Sequence, residues 1–235
     1  MQDFAEAFRL AFSLILEADS DLLEIIGLSL TVSLSAMLIS SLIGLAVGAV
    51  VAVLRFPGRG AVLVVMNSLM GLPPVVVGLV VYLLLSRAGP LGFLELLYTP
   101  TAMIIAQSIL ITPIIAALSR QVLEDLYGEY AEQFRSFCVP TRTAITTLLW
   151  DARYSLLTVA LAGFGRAVAE VGAVIIVGGN IAHSTRVMTT AIALETSKGD
   201  LALAMALGIV LLAIAIIVNA ALMSLRATAT RYAYA

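Results

Sequence analysis

The chain has 235 residues, of which 61% are hydrophobic and 12% charged, with a net charge of −2, whereas soluble domains carry about 25% charged residues. Too little polar surface is available for a water-facing globule, so the inventory specifies an all-α polytopic membrane protein and offers no basis for nucleic-acid binding. One cysteine, Cys138, and one histidine, His183, exclude an intrachain disulfide, a thiolate metal cluster and bis-histidine haem ligation; no metal site is expected.

Residues 4–16 are apolar but too short to cross a bilayer, and read as an amphipathic surface helix or a partial extra crossing. The acidic start (Asp3, Glu6, Glu17, Asp19, Asp21, Glu24) lacks the features of a cleaved signal peptide, so the chain is expected to be mature from Met1. Five stretches approach the roughly 20 apolar residues of a spanning helix: residues 25–54, 61–85, 101–118, 154–177 and 201–225. In the first, Gly44, Gly48 and Ala52 are four apart, a spacing that lets helices approach closely. In the second, Pro73–Pro74 must bend or break the helix, as a packing kink or as a break lining a path.

Between the third and fourth stretches lies a polar island, residues 120–153. Arg55, Arg59, Arg120, Arg135, Arg142, Arg153, Arg226 and Arg231 fall on its side of the membrane, against Arg9, Arg87, Arg186 and Lys198 on the other. This asymmetry places the island and the C-terminus in the cytoplasm and the N-terminus outside. Within the island Glu129, Glu132, Gln133 and Ser136 share a helical face, and Phe134 and Phe137 offer apolar anchors. Pro140 forces a turn at residues 138–141, and a second short helix follows over residues 142–149. Two short helices at a cytoplasmic turn suit docking of a soluble partner, since exposed phenylalanines are costly uncovered.

The stretch 129–172 resembles the permease subunits of binding-protein-dependent ABC importers. Glu132 falls on the Glu of their cytoplasmic loop pattern, Cys138 on its Gly and Leu148 on its aliphatic position. Gln133 and Phe134 stand where the pattern has two alanines, and Trp150–Asp151 where it has Leu-Pro. Cys138 in place of Gly predicts a slightly altered turn with docking retained. Downstream, Gly163-Phe-Gly-Arg166-Ala-Val-Ala-Glu170-Val-Gly172, Gly178-Gly-Asn180 and the run Thr185–Asp200 are similar to the molybdate, tungstate and sulfate branch, most of all to tungstate permeases.

The resemblance implies a type I importer permease fold over residues 1–235, with 120–153 as the coupling loop, in a prokaryotic inner membrane. It implies a homodimer in lipid, a cytoplasmic ATP-binding subunit that holds ATP and Mg, and an extracytoplasmic binding protein that delivers the oxyanion. The ATPase-coupling candidates are then Glu129, Glu132, Gln133, Phe134, Arg135, Ser136, Phe137, Cys138 and Arg142. Path candidates are Pro73, Pro74, Gly163, Arg166, Glu170 and Gly172. Arg186 and Lys198 either meet the binding protein or cap an outer helix.

Arg166 and Glu170 are four apart and can pair. They either lend positive potential to an anion path or fix helix packing; packing is preferred, because a neutralised arginine attracts a dianion weakly. Gln107 and Asn219 read as interhelical hydrogen-bond donors or acceptors, His183 as a solvated loop residue, and Cys138 as a turn residue. The chain contains no P-loop, His-Glu-x-x-His pair or Gly-x-Ser-x-Gly elbow, so no enzyme chemistry is expected and ATP-derived energy must enter through another subunit. The alternatives are the same machine with molybdate, sulfate or another small solute, an ion-coupled carrier or channel without an ATPase, and a membrane scaffold.

Overall fold

In the computed structural model, which describes residues 4–17 and 19–233, the regular structure is helical. The described α-helices are α1 (Phe4–Leu16), α2 (Ser20–Val53), α3 (Arg59–Met70), α4 (Pro74–Leu85), α5 (Pro100–Ser136), α6 (Thr141–Asp151), α7 (Arg153–Val168), α8 (Gly172–Gly178), α9 (Met188–Lys198) and α10 (Leu201–Ala233), with a 3-10 turn at Gly92–Leu94. The side chain of Asn219, expected to bond between helices, lies outside the described ones. Three helices, α2, α5 and the Leu201–Val218 part of α10, are long and apolar enough to cross a membrane; counting α3 with α4 and α7 with α8 gives five. These coincide with the five expected stretches.

The break at the paired prolines is present. Pro73 is the extended N-cap of α4 and Pro74 its first residue, where a missing N–H costs no helical bond. A second break was not expected. The stretch 154–177, read as one continuous crossing, stops at Val168 and restarts at Gly172, because the Glu170 side chain turns onto the start of the next helix. The island also differs from a pair of short helices: its first helix is the continuation of α5. Leu123, Leu126, Tyr127, Tyr130 and Phe134 recur at helical spacing and keep an apolar face packed down to the turn, so nothing ends the helix before Ser136.

The chain packs as two compact units. The first comprises Met1–Ala36, Pro73–Gln107 and Gly165–Asn219. Its core joins Ala11, Leu22, Ile25, Met188, Ala191, Ala206 and Leu207. Ala11 is fully buried there, so α1 docks on α2, α9 and α10 and leaves Phe12 and Leu16 exposed. In the same unit α4 lies against α8: a Cβ on Gly78 would come within 2.8 Å of Ala173 Cα.

The second unit comprises Met37–Leu72, Ser108–Phe164 and Ala220–Ala235. Its core joins Ala49, Ala52 and Val53 of α2 to Leu123, Leu148, Ala152 and Leu156. The small-residue stripe of α2 lets α5 approach as expected: a Cβ on Gly48 would lie 2.1 Å from Ser119 Oγ and 2.7 Å from the Ala116 carbonyl oxygen. Arg59 ties the same region together. Its Nε donates to the Val51 carbonyl at 2.9 Å, and its Nη2 meets Glu124 Oε1 at 2.7 Å, while Arg120 pairs with the other oxygen of Glu124.

Candidate functional site

The hairpin formed by the end of α5 and the start of α6 presents the residues expected to meet a soluble partner. Glu129, Glu132, Gln133, Arg135, Ser136, Cys138 and Arg142 are exposed, and Phe137 is 80% exposed. Phe134 departs from expectation. It packs inward, with its ring 5.7 Å from that of Tyr130 and 6.1 Å from that of Tyr127, so Phe137 alone of the two is an outward apolar anchor. α5 ends in a Schellman turn, with Cys138 N–H donating to the Arg135 carbonyl at 3.1 Å and Val139 N–H to the Phe134 carbonyl at 2.9 Å. Cys138 holds the left-handed position at φ +48° without being glycine. Pro140 then caps α6, and Leu148, at the aliphatic position, is buried in the second unit's core. A cavity of about 450 Å³ lies beside the turn, lined among others by Arg55, Tyr127, Phe134, Arg135 and Thr141.

The break between α7 and α8 gathers the intramembrane charges. Arg166 Nη1 lies 2.6 Å from Glu170 Oε2, with side-chain exposures of 36% and 3%. The other carboxylate oxygen accepts the Ala173 N–H at 3.1 Å, so Glu170 satisfies one of the orphan donors at the start of α8. The freed backbone carbonyls also find partners: Thr189 Oγ1 donates to that of Glu170 at 2.7 Å, and Gln107 Nε2 to that of Ala167 at 3.1 Å. This is the helix-to-helix bond expected of Gln107. Gly172 sits against Val75, one residue past the paired prolines, and leaves no room for a side chain. Pro74, Gly172, Glu170 and Arg166 therefore belong to one neighbourhood of the first unit. Gly163 packs on Ile111 and Ile115, a close helix contact within the second unit.

The Gly178-Gly-Asn180 motif proves to be a backbone fastening. Gly179 and Asn180 are left-handed, with φ of +71° and +51°. Thr185 Oγ1 donates to the Gly178 carbonyl and accepts the Ile181 N–H, and Asn180 exchanges hydrogen bonds with Thr190 on α9. Beyond it, Lys198 Nζ lies 2.9 Å and Arg186 Nη1 3.9 Å from Glu195. Glu195 is buried and was not anticipated; its spacing of three from Lys198 was the available signal. Lys198 stands in the last turn of α9 with its ammonium on the Glu195 carboxylate. His183 is exposed but not merely solvated, because its Nδ1 contacts Glu24 at 2.7 Å. That contact, with the charges of Glu24 and Asp21, holds its pKa above the ordinary 6.5 against Arg186.

Comparison with known proteins fits this arrangement. No family model matches the chain. It is 40% identical over 226 residues, 96% of its own length and 99% of the relative's, to the tungstate uptake system permease protein TupB of Peptoclostridium acidaminophilum. It is 42% identical over 205 residues, 85% and 88% of the two lengths, to a probable anion ABC transporter permease protein of Haloferax volcanii. The chain belongs to the ABC transporter permease family. A further relative is the permease protein TupB of Campylobacter jejuni, 35% identical over 91% of this chain and 90% of that one. This permease is thus an integral membrane protein and a transport subunit, not an enzyme, in the branch that its residues 163–200 resemble.

Proposed function

We propose that this permease is the membrane subunit of an ATP-driven importer that carries tungstate. The observation that carries the reading is the 40% identity to a tungstate uptake permease over 96% of the chain. The α5–α6 hairpin is the docking element for a cytoplasmic ATP-binding subunit: it is polar, exposed and rigidly turned, and it carries Phe137 80% exposed. The hairpin and C-terminus face the cytoplasm, following the arginine asymmetry. A second copy of the chain completes the passage, and an extracytoplasmic binding protein supplies the oxyanion. The Arg166–Glu170 pair is a packing element: one guanidinium N–H is committed to a carboxylate that is itself held by the α8 backbone.

Reconstitution of permease, ATPase and binding protein in liposomes tests the cargo, with ATP-dependent tungstate uptake expected. Uptake that ignores tungstate and follows molybdate, sulfate or another solute overturns it. Glu132→Ala with Phe137→Ala is expected to lower recovery of the ATPase in co-purification, and undiminished recovery removes the docking assignment.

A further inference from the structure

The proposed function leaves unused a cluster at the junction of α6 and α7. The guanidinium carbon of Arg153 lies 4.8 Å from the centroid of the Trp150 ring and 4.7 Å from that of Tyr154. Its Nη1 donates to the Trp150 carbonyl at 2.7 Å. Trp150 is 68% and Tyr154 42% exposed, and among the described residues Arg153 forms no ion pair, although Asp151 is its near neighbour in the chain. Leu157, exposed as well, continues the same face one turn further along α7.

We propose that Trp150, Arg153 and Tyr154 form a binding site for the phosphate group of an anionic phospholipid. The position is where the polar hairpin gives way to an apolar crossing, the level at which tryptophan and tyrosine rings sit among lipid headgroups. The two rings lie against the guanidinium and one N–H is taken by a carbonyl, while a guanidinium has five donors in its plane. The free edge suits a phosphate, which accepts two parallel hydrogen bonds from it. Leu157 offers the acyl chain an apolar continuation. A soluble anion would use the charge but not this apolar face; a phospholipid uses both.

Trp150 is the only tryptophan in the sequence, so the full chain reports on its own site. It would be reconstituted in phosphatidylcholine nanodiscs containing equal mole fractions of acyl-brominated phosphatidylglycerol or acyl-brominated phosphatidylcholine, and Trp150 fluorescence quenching measured. The expected result is a preference for the anionic lipid of about five-fold, the size for one basic residue at an anionic surface. That preference is lost in Arg153→Gln, which remains quenched by both lipids. Equal quenching of the unsubstituted chain by the two lipids overturns the proposal without reference to any variant. So does a preference that survives in Arg153→Gln, and so does an absence of quenching by either lipid, which means that protein covers the rings.

Discussion

Replacing each member of the Arg166–Glu170 pair should cost very different amounts, although they share one contact. The glutamate side chain is 3% exposed and the arginine 36%. Arg166→Met strands a carboxylate among buried groups, a change of about 3–5 kcal/mol. Glu170→Gln strands only a guanidinium that lies partly outside the packed core, 36% exposed, and the amide oxygen can still accept the Ala173 N–H that Oε1 takes at 3.1 Å. Its cost reduces to imperfectly satisfied amide donors, about 1–2 kcal/mol. The double variant removes the stranded charge and should fall near the milder single, leaving a coupling close to the full cost of Arg166→Met, about 3–5 kcal/mol. Equilibrium unfolding of the purified permease in one defined detergent or lipid mixture measures all four corners of the cycle. Additive single effects, or Glu170→Gln costing as much as Arg166→Met, would refute the reasoning.

Gly48→Ala should destabilise by about 1–3 kcal/mol through overpacking, since its Cβ meets Ser119 Oγ and the backbone of α5; Gly128→Ala, with nothing within 4 Å, should instead gain up to about 1 kcal/mol, and unfolding of both variants shows whether the signs differ. Cys138→Gly should relieve the left-handed strain at φ +48°, worth about 1–2 kcal/mol before the glycine's extra unfolded-state entropy is subtracted; Cys138→Ala should not, and a less stable glycine variant would contradict the assignment. His183 should titrate above 6.5, and Glu24→Gln should bring it back down. Because the folded pKa is raised, the stabilisation from this contact is complete below the unfolded value and is lost as pH rises through the folded one; NMR of the single histidine shows the shift, and a midpoint indifferent to Glu24→Gln disproves its cause.

The crossings were legible in the sequence because membrane insertion is written in uninterrupted apolar length, which needs no partner to be read. The paired prolines announced the first break in the same local way. The break at residues 169–171 was not announced, since it depends on where the Glu170 carboxylate turns, and a helix-compatible Arg-Glu spacing of four reads equally well in a straight helix. The hairpin's residues were recognisable, but the orientation of Phe134 was not: whether it faces out or joins Tyr127 and Tyr130 is decided by α5 running on without interruption. Gly178-Gly-Asn180 pointed to a branch of the family through resemblance, while its role as a fastening through Thr185 and Thr190 needs the distant ends brought together.

α4 and α8 are each too short to cross a bilayer, about 18 Å and 10 Å at 1.5 Å per residue, and they touch at Gly78 and Ala173 with almost no side chain between them. Side chains at a helix contact act as bearings: they change rotamer and let two cylinders slide. Here the bearing surface is backbone on backbone. The spacing of the two half-helices is therefore set by the missing side chain at Gly78, and any larger residue there would have to push α8 away from α4.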